Sequence, residues 1–192
     1  MIRARGLAKR YGRKRVLAGI DLDVARGEFV VVTGANGSGK TTLLRLLAGL
    51  AAPSGGELRV DVRRERLALL AHESLVYREL TALENLRLYA RLYRVREAAE
   101  RCGMLLERFG LWDDRDVRVA AYSRGMQQRL ALCRALLHDP ELLLLDEPYS
   151  ALDADGADLL DRELAASQAT FVVTTHAPER LAPRATSRLA LT

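Results

Sequence analysis

The chain has 192 residues, 49% hydrophobic and 29% charged, and a formal net charge of +5. That is enough for one domain, or one domain with an insertion, around a substantial core, and it argues against a disordered or low-complexity chain. No apolar run reaches membrane-span length, the opening Met1–Leu7 lacks a signal-peptide core, and the arginines read as scattered, so a spanning segment, a leader and nucleic-acid binding are not expected.

In chain order, Ile2–Ala25 and Gly56–Asp61 read as short strands with turns at Arg10–Arg13 and Pro53–Gly56, a small antiparallel layer beside a main sheet. Glu28–Thr33 is a short apolar run of the kind found in buried strands. It runs into Gly34-Ala35-Asn36-Gly37-Ser38-Gly39-Lys40-Thr41, which fits G-x-x-x-x-G-K-[ST], and a helical pattern over Thr42–Gly49 follows. Strand, glycine-rich loop and helix in that order make a phosphate cradle: backbone N–H groups turn inward over a helix N-terminus. Lys40 is expected on the β/γ-phosphates and the Thr41 hydroxyl on Mg²⁺, with Thr42 opening the helix beneath them. The expected ligand is a nucleoside triphosphate.

A further short strand is expected at Leu67–Ala71, and from about Thr81 to Leu137 the pattern is almost wholly helical. Thr81 and Glu84 form a capping box opening Ala82–Tyr93; Glu97–Phe109 ends at Gly110; Ser123 caps Arg124–His138, which stops before Pro140. The block interrupts an alternation of strands and helices, so a helical subdomain, about residues 74–138, is expected to be inserted in one domain. Cys102 and Cys133 both fall in these helices among apolar neighbours, where two buried, reduced thiols are expected.

Leu142–Asp146 reads as a buried strand that ends in two adjacent carboxylates, Asp146 and Glu147. Ligands collect at the carboxyl ends of parallel strands, and this strand is a candidate neighbour of the phosphate loop. Asp146 is expected to hold Mg²⁺, and Glu147 to polarise the water that attacks the γ-phosphate. Thr170–Thr175 is another strand, and His176 at its end is placed to sense that phosphate and orient Glu147 or the water.

With these pieces in order, the chain resembles the ATP-binding subunits of ABC transporters from end to end. Tyr122-Ser123-Arg124-Gly125-Met126-Gln127-Gln128-Arg129, shortly before the Asp146–Glu147 strand, is similar to the family's signature sequence. Ser150–Asp153 resembles its D-loop, His176 its switch histidine, and Tyr11 lies where the family stacks an aromatic on adenine. The resemblance implies an α/β fold, a RecA-like P-loop NTPase parallel sheet with an N-terminal antiparallel β layer. It implies an ATPase with ATP and Mg²⁺ as cofactors.

The likeness also implies a head-to-tail homodimer, with each ATP held by the Gly34–Thr41 loop of one copy and the Ser123–Gln127 turn of the other. A transmembrane permease is the implied partner, with this chain peripheral on the cytoplasmic face of the inner membrane and no role for nucleic acid. Two positions depart from the family pattern: Arg124 stands where it has glycine, and Glu73 replaces the Q-loop glutamine that contacts Mg²⁺ and water. Within the family, Leu80–Leu86 and Ser123–Arg129 are most similar to the haem-exporter subunits of cytochrome c maturation. An exporter of another small molecule or a lipid, and a soluble non-transport ATPase, are the alternatives. A P-loop kinase fits less well, because the signature helix and Glu147 have no place in one.

Overall fold

The computed structural model describes residues 1–71 and 75–191, which divide into two compact units. The first comprises Met1–His72, Glu141–Glu147 and Gln168–Thr192; the second comprises Glu73–Pro140 and Pro148–Ser167.

The first unit holds two sheets. Strands β1 (Ile2–Tyr11), β2 (Lys14–Val24) and β4 (Gly55–Val60) form an antiparallel layer in the order β2-β1-β4. Strands β3 (Phe29–Gly34), β5 (Leu67–Leu70), β6 (Leu142–Asp146), β7 (Thr170–Thr174) and β8 (Ser187–Leu191) form a wholly parallel sheet in the order β5-β6-β7-β3-β8. Every residue of β6 and β7 is buried, as parallel strands covered on both faces require. Helix α1 (Lys40–Leu47) buries Leu43, Leu44, Leu46 and Leu47 in one core with Val30 and Val32 of β3, Leu142 and Leu144 of β6, and Leu7, Leu17 and Leu22 of the antiparallel layer. It stops in a Schellman turn: Gly49 N–H donates to Leu46 O at 3.0 Å and Leu50 N–H to Arg45 O at 2.9 Å, with Gly49 at φ +68°.

Three findings differ from the sequence reading. Strand β8, an edge strand with alternating exposure, pairs with β3 and was not anticipated. Strand β6 does not adjoin β3, because β7 lies between them. The basic residues are not all scattered either: five of the seven residues Lys9–Arg15 are cationic, and the two-residue turn at Gly12-Arg13 folds that run back so that Arg10 faces Arg15 across the strands.

The second unit is helical: α2 (Ala82–Leu92), α3 (Ala98–Arg108), α4 (Arg124–Leu136) and α5 (Ala154–Ala166). The capping box at α2 is complete, with Glu84 N–H donating to Thr81 Oγ1 at 3.1 Å and Thr81 N–H to Glu84 Oε2 at 2.8 Å. Cys102 of α3 and Cys133 of α4 are buried free thiols, and burial pushes both upward, Cys133 well above the usual thiol range. Neither is therefore expected to react with a thiol reagent at pH 8 in the native protein, while both react in guanidinium. Rapid native labelling of either would contradict this packing.

Candidate functional site

The Gly34–Thr41 loop joins β3 to α1, and two of its glycines are sterically required. A Cβ on Gly34 would lie 2.5 Å from Ser38 Oγ and 2.6 Å from the Leu191 carbonyl of β8. Gly39 is left-handed, at φ +101°, and a Cβ there would lie 2.6 Å from Leu17 Cδ2 and 3.0 Å from Val16 O. Ala35 and Ser38 close the turn between them through Ser38 N–H to Ala35 O at 3.1 Å, which takes in Asn36 and Gly37. Ser38 Oγ is buried with no hydrogen-bond partner among the described residues.

Lys40 is buried, and its Nζ donates to Gly34 O at 2.7 Å and lies 3.4 Å from Ala35 O and 3.5 Å from Glu147 Oε1. Loop carbonyls and one carboxylate thus satisfy an ammonium group that a polyphosphate would take over. Glu147 follows β6 directly and adopts a left-handed φ of +49°, a conformation that costs a non-glycine residue about 1–3 kcal/mol. Its Oε1 also lies 2.7 Å from His176 Nδ1, just past β7. The approach is short but not an aligned hydrogen bond, since Oε1 is buried and accepts none of good geometry. His176 itself is 59% exposed on its side chain.

Asp146, the last residue of β6, is gripped from two sides. Thr41 Oγ1 donates to Oδ2 at 2.6 Å and Thr174 Oγ1 donates to Oδ1 at 2.6 Å. Although β7 intervenes, the carboxylate still reaches α1, because all these strands end at one edge. Thr174 was not picked out from the sequence; the signal available was a polar side chain inside the fully buried strand Thr170–Thr174. One hydroxyl and one carboxylate, with no cluster of three or more His, Cys, Asp or Glu among the described residues, suit a hard cation that arrives with phosphate oxygens. Glu73 lies outside the described residues.

The remaining sequence candidates sit elsewhere. Tyr11 ends β1, 48% exposed, with Lys9 Nζ 4.9 Å from its ring centroid. In the second unit, Ser123 and Arg124 are exposed at the start of α4, where Ser123 Oγ accepts from Met126 N–H at 3.2 Å. Gln127 Nε2 donates to Tyr122 O at 3.0 Å, stiffening that turn, and a Cβ on Gly125 would meet Ala151 O at 3.2 Å. Asp153 caps α5, its Oδ1 accepting from Gly156 N–H at 2.9 Å. No helix among the described residues is long and apolar enough to cross a membrane.

The family model for ABC transporters matches residues 17–150, from the wall behind Gly39 through Glu147. The chain belongs to the ABC transporter family. Its fold and ATPase domain are those of that family. It is 43% identical over 184 residues to the daunorubicin resistance ATP-binding protein DrrA3 of Streptomyces coeruleorubidus, covering 88% of this chain and 58% of that one. It is 37% identical over 204 residues to the cytochrome c biogenesis ATP-binding export protein CcmA of Shigella flexneri, covering 100% of this chain and 97% of that one. A solved ABC structure, a dimeric ATP-binding cassette in a post-hydrolysis state bound to ADP and Pi, superposes with a TM-score of 0.84 at 27% identity, over 94% of this chain and 90% of its own. The chain spans little more than half the length of the first relatives it matches.

Replacing Gly39 by valine places a branched side chain against Leu17 in a left-handed conformation. The expected result is at least a tenfold loss of ATP affinity by calorimetry, an order set by losing the loop's geometry for phosphate. Wild-type affinity in that variant would contradict the assignment of this loop.

Proposed function

We propose that this chain is the ATP-hydrolysing subunit of an ABC transporter, serving haem export or handling in cytochrome c biogenesis. The observation that carries the ATPase reading is the convergence of Lys40, Glu147 and His176 beside the Thr41–Asp146 pair at one edge of the parallel sheet. The loop amides and Lys40 hold the phosphates, exchanging the lysine's contacts to Gly34 O and Glu147 for phosphate oxygens. Thr41 and Asp146 hold Mg²⁺, which when bound neutralises charge on the phosphate oxygens. Glu147, freed of Lys40, accepts the proton of the attacking water, and His176 keeps the carboxylate oriented. Tyr11 offers a ring face to the base, and Glu73 stands in for the family's Q-loop glutamine.

The same proposal makes the working unit a head-to-tail homodimer on a transmembrane permease, at the cytoplasmic face of the inner membrane. The Ser123–Gln127 turn, exposed at the start of α4 with Arg124 beside it, supplies a second anion site, and Asp153 of the D-loop-like stretch joins it at the dimer interface. What supports this is the dimeric state of the solved cassette. The haem reading rests on the likeness to CcmA along the whole chain. The likeness to DrrA3 favours a second reading, export of another small molecule.

Glu147→Gln keeps the side chain's shape and removes the base. Turnover is expected to fall at least a hundredfold, the order of a general-base contribution, and ATP is expected to shift the variant from monomer to dimer in sedimentation. Unchanged turnover would exclude Glu147 as the base. Purification of the chain with the membrane protein that co-extracts with it, followed by a haem absorbance scan, separates the two transport readings: haem-free complexes that turn over ATP would contradict haem export.

A further inference from the structure

The hydroxyl of Thr174 does two jobs at once. It donates to Asp146 Oδ1 at 2.6 Å, and it accepts from the Glu147 backbone N–H at 3.1 Å. The same N–H also lies 3.2 Å from Thr174 O, so residue 174 holds the start of the left-handed Glu147 from both its main chain and its side chain. The residue is fully buried, and Asp146 is 3% exposed, so water cannot replace either contact. Among the described residues, Asp146 Oδ1 accepts from Thr174 and Oδ2 from Thr41. The carboxylate is therefore fixed in a rotation that turns Oδ2 toward the loop helix. Register explains why this residue does it: Thr174 is the direct partner of Asp146 in the β6–β7 ladder. A buried hydroxyl at that rung, where valine would satisfy β-propensity equally well, has no packing rationale of its own.

We infer that Thr174 is the positioning residue for the metal-nucleotide site: its hydroxyl presets Asp146 toward Thr41 and steadies the backbone of Glu147. The inference rests on reading this chain as an Mg²⁺-dependent ATPase. Outer-shell donors of this kind are worth roughly ten- to a hundredfold in metal affinity or activity. The side-chain bonds of Thr174 among the described residues go to Leu145, Asp146 and Glu147 rather than to the phosphate loop, so its loss should be felt through the metal and not through phosphate binding alone.

The test compares ATP binding to the full chain by calorimetry with Mg²⁺ and with EDTA, for wild type, Thr174→Val and Thr174→Ser. Wild type is expected to gain affinity with Mg²⁺. Thr174→Val is expected to bind metal-free ATP as wild type does, while its gain from Mg²⁺ shrinks roughly tenfold or more. Thr174→Ser, which keeps the hydroxyl, is expected to retain most of that gain. Circular dichroism melts verify that each variant is folded. The inference is overturned if Thr174→Val keeps the full Mg²⁺ gain, if it weakens both forms of ATP equally, or if the serine variant loses as much as valine. Should valine fail to fold, the serine variant and Thr174→Ala, read in the same way, decide the matter. Absence of any Mg²⁺ gain in wild type would instead refute the ATPase reading itself.

Discussion

The carboxylate of Asp146 is the joint on which the site turns. Two hydroxyls meet it, one from the first turn of α1 and one from β7, each at 2.6 Å. Through that single group three separate segments of chain, more than a hundred residues apart in the case of Thr41 and Asp146, are brought to one point. Charge-assisted hydrogen bonds of this length are strong, and with Asp146 and Thr174 buried they hold the carboxylate in one orientation. Everything asked of the site, from gripping phosphate to placing a base, depends on the strand edge that this joint defines.

Charge around the joint is compensated internally. Lys40 is nearly buried, yet it is covered by two carbonyls and Glu147, so the loop can hold its cation without nucleotide. In the proposed mechanism phosphate oxygens would compete for the same ammonium group, and that exchange would release Glu147 to face water. His176, which touches Glu147, is far more exposed than either Lys40 or Glu147. Backbone strain at Glu147 is met locally by Thr174, consistent with strained residues lying where function needs a particular geometry.

Much of this was legible in the sequence, for identifiable reasons. The loop, the Asp146–Glu147 pair and the caps at Thr81 and Ser123 are local signals, each with its chemistry written within a few residues. The all-apolar cores of β3, β6 and β7 declared buried strands. Strand order is not a local property, so nothing in Leu142–Asp146 told that β7 would lie between it and β3. Ser187–Leu191 was missed because an edge strand half open to solvent carries no continuous apolar run. The clustering of cations at Lys9–Arg15 became visible once a two-residue turn laid Arg10 against Arg15. Thr174 was hidden by its company: in a run of valines and threonines one hydroxyl looks like another until register names its partner.

The most direct measurement is a crystal structure of the Glu147→Gln protein with ATP and Mg²⁺. The hydroxyl of Thr41 is expected to leave Asp146 Oδ2 and ligate the metal, with Asp146 beside it still held by Thr174 and Lys40 moved onto the phosphates. A bound nucleotide whose metal sits away from Thr41, with the Thr41–Asp146 hydrogen bond intact, would contradict it.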